Sequence, residues 1–261
     1  MRLRSCKLIA SALSLLAFGS FASAAAINYG NFNGTNVMYL QVTEDSSTDP
    51  TPLFGAPTVT NDSLTFNPTS FGASATGAGG VDITDGTLAA TLMTTGAKRI
   101  HKVSFAEAGD YTLAGGAGTT ATAASVGASF FLRVIELDGV GVAPISFSGN
   151  LAVSPSGGTY DFVNDPHGPA AIWTGSASFD IDALLASQNI TGQATKILLS
   201  LDNVLLATSE AGTFSTIKKK EFEGVTVTVD TNVPEPASIA FFALGCAVLL
   251  GRRIARDSVQ A

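Results

Sequence analysis

The chain has 261 residues, 46% of them hydrophobic and only 13% charged, with a formal net charge of −7. That acidic balance excludes the basic face of a nucleic-acid binder, and the apolar fraction excludes a disordered chain. Positions 25–233 carry 8 basic and 19 acidic side chains, a net of −11, so both basic clusters lie outside the middle, as in a sorting signature.

At the N-terminus, Arg2, Arg4 and Lys7 form a positive region, 8–18 is apolar, and Ala22-Ser23-Ala24 supplies the small residues a signal peptidase accepts. Residues 1–24 therefore read as a secretory signal peptide, cut after Ala24 or, alternatively, after Ala26. The apolar run is too short to span roughly 30 Å of hydrocarbon. Residues 25–232 then read as one ectodomain of short apolar runs cut by Gly, Pro, Asn and Asp. Strands are expected at 37–42, 87–94, 99–105, 110–113, 129–137, 140–147, 177–181, 196–206 and 224–229. Residues 44–57 read as a polar loop, and 114–128 as a Gly/Ala/Thr/Ser-rich loop or weakly ordered edge. Asp138-Gly139 between two apolar runs predicts a hairpin with a type I′ turn. Asp182 is expected to cap a short helix running through Gln188, closed by Asn189 and Gly192. Lys218-Lys219-Lys220, beside Glu221 and Glu223, reads as a solvated strand edge that discourages pairing. In the last run Val225, Val227 and Val229 alternate with Thr226 and Thr228, the period of a half-buried strand. About ten short strands with a single helix predict an all-β fold, a β-sandwich with the jelly roll as one form of it. Repeated βαβ patterns and internal repeats are absent from the sequence.

The C-terminal end, 233–256, has its own logic. Val233-Pro234-Glu235-Pro236 stops the preceding strand, and 237–251 is an apolar stretch followed by Arg252-Arg253. As a helix this stretch would be about 22 Å long, a short transmembrane span that snorkelling arginines would complete. Arginines after the span orient that end to the cytoplasm and place the ectodomain outside. Pro-Glu-Pro, a short apolar span and an Arg cluster at the extreme C-terminus resemble the PEP-CTERM sorting tail of exported bacterial proteins from exopolysaccharide-producing organisms. The resemblance implies processing near the motif by a membrane protease, an exosortase. Pro234, Glu235 and Pro236 would then be its recognition element, and Arg252 and Arg253 the stop-transfer cluster. Residues 254–261 extend farther past the arginines than the family pattern. More loosely, Leu201-Asp202-Asn203-Val204 resembles the late core strands of PEP-CTERM ectodomains, sandwiches that themselves resemble carbohydrate-binding modules. The two cysteines, Cys6 and Cys246, fall in the signal and the tail span, which leaves the ectodomain without a disulfide or a thiolate zinc site.

Candidate chemistry is sparse. Asp165 and His167 flank Pro166, but no G-x-S-x-G elbow accompanies them. Gly72-Ala73-Ser74 and Gly127-Ala128-Ser129 both lack the second glycine. His101, among Lys98, Arg99 and Lys102, reads as a solvated strand position. Gly116 to Ala121 fits a relaxed dinucleotide pattern but opens no helix. Glu44, Glu107, Glu136 and Asp138 could supply a glycosidase pair if two of them met in one cleft. Glu44, Asp45 and Asp49, or Asp161 and Asp165, place carboxylates on turns where structural calcium could sit. Trp173, the only tryptophan, is the candidate sugar platform, beside four tyrosines (Tyr29, Tyr39, Tyr111 and Tyr160), while the 16 phenylalanines favour a core. The reading is an exported surface or matrix protein, structural or adhesive, linked to exopolysaccharide, with no catalytic residue and no cofactor. Its expected partners are an exosortase, an exopolysaccharide or cell-surface glycan, and the membrane through the C-terminal helix. The alternatives are a carbohydrate-binding module and, after it, a polysaccharide-active enzyme.

Overall fold

The computed structural model describes residues 26–166, 168–220 and 224–232. The signal-cleavage residues Ala22 and Ala24, the motif Pro234-Glu235-Pro236, the span 237–251, Arg252, Arg253 and His167 lie outside the described residues. Among the described residues no helix is long and apolar enough to cross a membrane.

In chain order the strands begin with β1 (Ile27–Asn33), β2 (Val37–Asp45), β3 (Thr58–Thr60), β4 (Ser63–Phe66), β5 (Gly72–Thr76), β6 (Gly80–Thr94) and β7 (Arg99–Gly115). There follow β8 (Ala123–Leu137), β9 (Val140–Asn150), β10 (Ala152–Ser154), β11 (Thr159–Asp161) and β12 (Gly168–Asp180). Helix α1 (Ile181–Ser187) precedes β13 (Ala194–Ser209), β14 (Thr213–Lys219) and β15 (Val225–Asn232). The strands form two antiparallel sheets, so the expected all-β sandwich is the architecture. The first sheet runs β1-β2-β6-β13-β8, with β9 and β11 sharing the far side of β8. The second runs β10-β12-β7-β15-β4-β3, with β14 also on β7 and β5 on β14. The chain passes from sheet to sheet along β6, β7, β8 and again along β12, β13, β14.

Strand β13 lies inside the first sheet, between β6 and β8, and β7 lies inside the second. Alternation puts Ile197, Leu199, Leu201, Leu205 and Ala207 of β13 against the core, opposite Val103, Phe105, Tyr111 and Leu113 of β7. Aromatic rings dominate the space between. Trp173, Tyr39, Tyr111, Tyr160, Phe54, Phe66, Phe71 and Phe130 are almost wholly buried. Phe54 meets Phe71 edge-on at 4.8 Å, and Tyr111 stacks on Tyr160 at 4.0 Å.

Several expectations change in detail. The runs 99–105 and 110–113 are one strand, β7, because β12 pairs with it continuously from Lys102 to Tyr111, across the small residues that broke the sequence pattern. Residues 123–128, inside the expected loop, belong to β8, with Ala124, Val126 and Ala128 facing inward; small side chains weakened the signal without breaking its alternation. Asp180, not Asp182, caps α1, accepting from the Ala183 N–H at 2.9 Å. The helix closes as expected on a left-handed Asn189. The Asp138-Gly139 hairpin joins β8 to β9 with positive φ at both residues. Strand β14 extends the strand edge expected at the lysine run back to Thr213. It and β15 are collinear, both paired to the same side of β7, and separated by the segment that follows Lys219. Backbone bonds between Lys220 and Ala108, and between Ala108 and Gly224, close that insertion against β7.

The Trp173 indole packs against Gly109, its register partner on β7. A Cβ at Gly109 would stand 2.2 Å from both the indole carbons and the Lys218 carbonyl. Gly109→Ala is expected to lower stability by about 2–3 kcal/mol through overpacking, read as a lower urea midpoint at unchanged slope. An unchanged midpoint would contradict the placement of the ring.

Candidate functional site

The four carboxylates that could have made a hydrolytic pair each serve the fold through their own contacts. Glu44 is buried under the 46–57 loop. Its Oε1 accepts from the Leu53 and Phe54 N–H groups, and its Oε2 from the Gly55 N–H at 3.2 Å and the Tyr29 hydroxyl at 2.6 Å. Burial and the adjacent Glu44 push the Tyr29 phenol up. Glu136 accepts from the Thr195 hydroxyl at 2.7 Å and meets Lys196 at 3.1 Å, contacts that hold it below the ordinary carboxylate range. Asp138 sits in the hairpin turn and takes Arg99 Nε at 3.2 Å.

Glu107 belongs to a polar cluster at the centre of the sandwich. The Lys219 ammonium bonds Glu107 Oε2 and, at 2.8 Å, Asn203 Oδ1, while Asn203 Nδ2 donates to Glu107 Oε1 at 3.0 Å. Three strands, β7, β13 and β14, thus meet in a closed triangle spanning both sheets. Glu107 is 3% exposed, Asn203 0% and Lys219 1%. The ammonium also faces the Phe71 and Trp173 rings, 5.2 and 5.4 Å from their centroids. Lys219 is therefore not the solvated edge residue expected from the lysine run; only Lys218 is exposed. A signal existed in the sequence. Each member interrupts an apolar face at period two: Phe105-x-Glu107-x-Gly109-x-Tyr111, Leu201-x-Asn203-x-Leu205, and Ile217-x-Lys219.

The remaining candidates resolve as turns or core. Trp173 is fully buried, which removes it as an exposed sugar platform. Asp161 and Asp165 close the loop after β11: Asp161 Oδ1 accepts from the Val163 and Asn164 N–H groups, and Asp165 from Ser156 and from the Asp161 N–H. Asp85 gathers Ser46, Ser47 and Thr48 at the head of the 46–57 loop, while Asp45 accepts from the Ser46 N–H and Asp49 from the Thr48 hydroxyl. Among the described residues no group of three or more His, Cys, Asp or Glu could hold a metal ion. The relaxed dinucleotide pattern lies in a loop pinned by Glu210, whose Oε2 accepts from the Thr119 N–H at 2.8 Å and the Thr122 hydroxyl at 3.0 Å. His101 is the extra residue of a bulge between the Thr231–Ile100 and Asp230–Lys102 pairs. That bulge aims its Nδ1 at Asp182 on α1, 2.6 Å away.

An open concavity lies between β9 and β12. It is a groove of about 820 Å³ with Phe105 and Phe179 at its floor and hydroxyls of Ser148, Ser176, Ser178 and Ser187 around it, closed at one end by Ala183 and Leu184 of α1. Gly149 makes room for it: a Cβ there would stand 2.8 Å from the Phe179 ring. A second surface lies on the outer face of the first sheet. Exposed Val81, Ile83 and Val204 gather there with Leu206, which pairs with Ile83 across β6 and β13.

No protein-family model and no curated protein sequence matches the chain. Among solved structures it is similar to the enzymatically active domain of tailspike protein 4 of bacteriophage CBA120, at 11% identity and TM-score 0.23, over 82% of this chain and 20% of that one. It is similar to endoglucanase 3 from family GH12 of Trichoderma harzianum, at 14% identity and TM-score 0.20, over 72% and 98% of the two chains. A family 12 xyloglucanase from Bacillus licheniformis gives 11% identity and TM-score 0.22, over 79% and 99%. The chain thus spans about a fifth of the tailspike domain.

The His101–Asp182 contact makes a pH prediction. The bond to Asp182, helped by the Asp180 and Asp230 charges, holds the imidazole above its ordinary value. A raised folded value means the contribution is complete below the unfolded value of about 6.5 and fades as pH climbs through the folded one. With the side chain 43% exposed, solvent screening keeps the contribution under about 1 kcal/mol. His101→Gln is expected to lower the denaturation midpoint at about pH 5.5 and leave it nearly unchanged at about pH 9. Equal losses at both pH values would refute the charged pair.

Proposed function

We propose that this chain is an exported surface or matrix protein with a structural or adhesive role linked to exopolysaccharide, carried out by a non-catalytic β-sandwich of jelly-roll-like form. Export rests on the terminal sequence signals: the positive and apolar leader ending at Ala22 and Ala24, and the PEP-CTERM-like tail of Pro234, Glu235, Pro236, Arg252 and Arg253. The observation that supports a role without turnover of an external substrate is the engagement of the four acids. Glu44, Glu107, Glu136 and Asp138 each serve backbone amides, hydroxyls or cations of the fold itself. The exposed apolar strip of Val81, Ile83 and Val204 supports an interaction surface.

Mass spectrometry of terminal peptides from cell and medium fractions tests the reading. A chain that starts near Ala25 and ends near Pro234 is expected. A chain that keeps Arg252 in the membrane fraction would replace processing with a lasting anchor.

The groove between β9 and β12 favours a second reading, a carbohydrate-binding module, because serine hydroxyls line an open concavity with an apolar floor there. Ala183→Trp fills the groove from the exposed face of α1 without touching the core. If the groove holds glycan, cosedimentation with the exopolysaccharide should weaken at least about tenfold, or about 1.4 kcal/mol; unchanged cosedimentation would dismiss it.

A further inference from the structure

The central triangle has the parts of an amide-forming reaction. It holds a primary amine, a carboxamide and a carboxylate, mutually bonded and shielded from solvent. Lys219 Nζ touches Asn203 Oδ1 at 2.8 Å, so the amide carbon Cγ is the next atom along its path. Glu107 bridges both nitrogens, one oxygen on Lys219 Nζ and the other on Asn203 Nδ2 at 3.0 Å. It is placed to take a proton from the attacking nitrogen and deliver one to the leaving nitrogen. Phe71 and Trp173 wall the cluster. Burial pushes the Lys219 ammonium down, which eases proton loss to the adjoining carboxylate.

We propose that Lys219 and Asn203 become joined by an intramolecular amide bond, with Glu107 as the catalytic residue. The step balances. Lys219 passes one proton to Glu107 and becomes a neutral amine. Its Nζ lone pair attacks Asn203 Cγ to give a tetrahedral carbon. Glu107 relays a second proton from Nζ to Nδ2, the Cγ–Nδ2 bond breaks, and ammonia leaves. The proton first lent to Glu107 departs with it as ammonium, which restores the carboxylate. There is no net oxidation and no co-reactant. Proximity supplies the drive, since three groups that would meet rarely in water are held in contact by the fold, and dilution of ammonia into solvent pulls the reaction forward. The product ties β13 to β14 and so couples the two sheets covalently, in an ectodomain without a cysteine. Closing the loop between positions 203 and 219 removes freedom from the unfolded chain as a disulfide would, without dependence on redox conditions.

The test is a tryptic digest of the full-chain protein read by mass spectrometry. Trypsin cuts after Lys196, Lys218 and Lys220. The expected product is peptide 197–218 attached to Lys219-Lys220, lighter than the sum of the two by one ammonia, about 17 Da. Release of peptide 197–218 free and at full mass from the folded protein would overturn the proposal, and this readout requires no variant to fold. Asn203→Ala is expected to abolish the linked product. Glu107→Gln is expected to slow its appearance at least about 100-fold, the usual share of a positioned acid–base group; a Glu107→Gln chain that links at the wild-type rate would overturn the assigned relay.

Discussion

A cation in the middle of a hydrophobic core is the constraint around which this sandwich is arranged. The Lys219 ammonium is 1% exposed beneath the Trp173 and Phe71 rings, and among the described residues Glu107 and Asn203 are the groups that compensate it. Removing one partner of such a pair costs about 3–5 kcal/mol, because the remaining charge stays buried and unmatched. The two sheets therefore cannot slide past each other by a residue. Glu107 on one sheet and Asn203 on the other must both reach the same nitrogen, which sets their relative register more sharply than interchangeable aliphatic contacts would. The collinear β14 and β15 serve the same end. The insertion between them makes Lys219 the final residue of β14, with its side chain on the inward face beside Ile217.

Around that centre, packing is a matter of rings placed over glycines. Trp173 covers Gly109, Phe179 covers Gly149, and Phe54 and Phe71 lie against Gly86. Each pair combines a large ring with a position that tolerates no Cβ, so the thickness of the core varies locally while remaining filled. The groove between β9 and β12 follows from one of these pairs, because Phe179 occupies the space that Gly149 leaves and thereby forms the groove's floor.

Much of the architecture was legible in the sequence. Alternation over Val225 to Val229, the Asp138-Gly139 turn and the single short helix all point to an antiparallel sandwich, and they appear where expected. What escaped has a common cause. Residues 106, 108 and 109, and all of 123–128 but Val126, are Ala, Gly or Ser, which carry little local strand preference; their neighbours across the sheet supply it. The cap of α1 moved by two residues because the bulge at His101 engages Asp182 and leaves Asp180 at the helix start. The polar centre was the harder case. A run of three lysines reads as solvent-exposed by composition, and only the parity of Ile217 and Lys219 indicates that one of them turns inward. The partners of that lysine lie 16 and 112 residues away, beyond the reach of any local pattern.

The last strand bears on how the domain carries load. Strand β15 is held on one side by β7 and on the other, at Val225–Thr228, by β4, and it ends at Asn232. A pull on the chain beyond Asn232, directed along the strand, strains these hydrogen bonds together, in shear, and does not peel them one at a time. Stripping β15, an inner strand of its sheet, would pull Val225, Val227 and Val229 out of the core, so force applied at its end is borne by the packed interior and not by an edge.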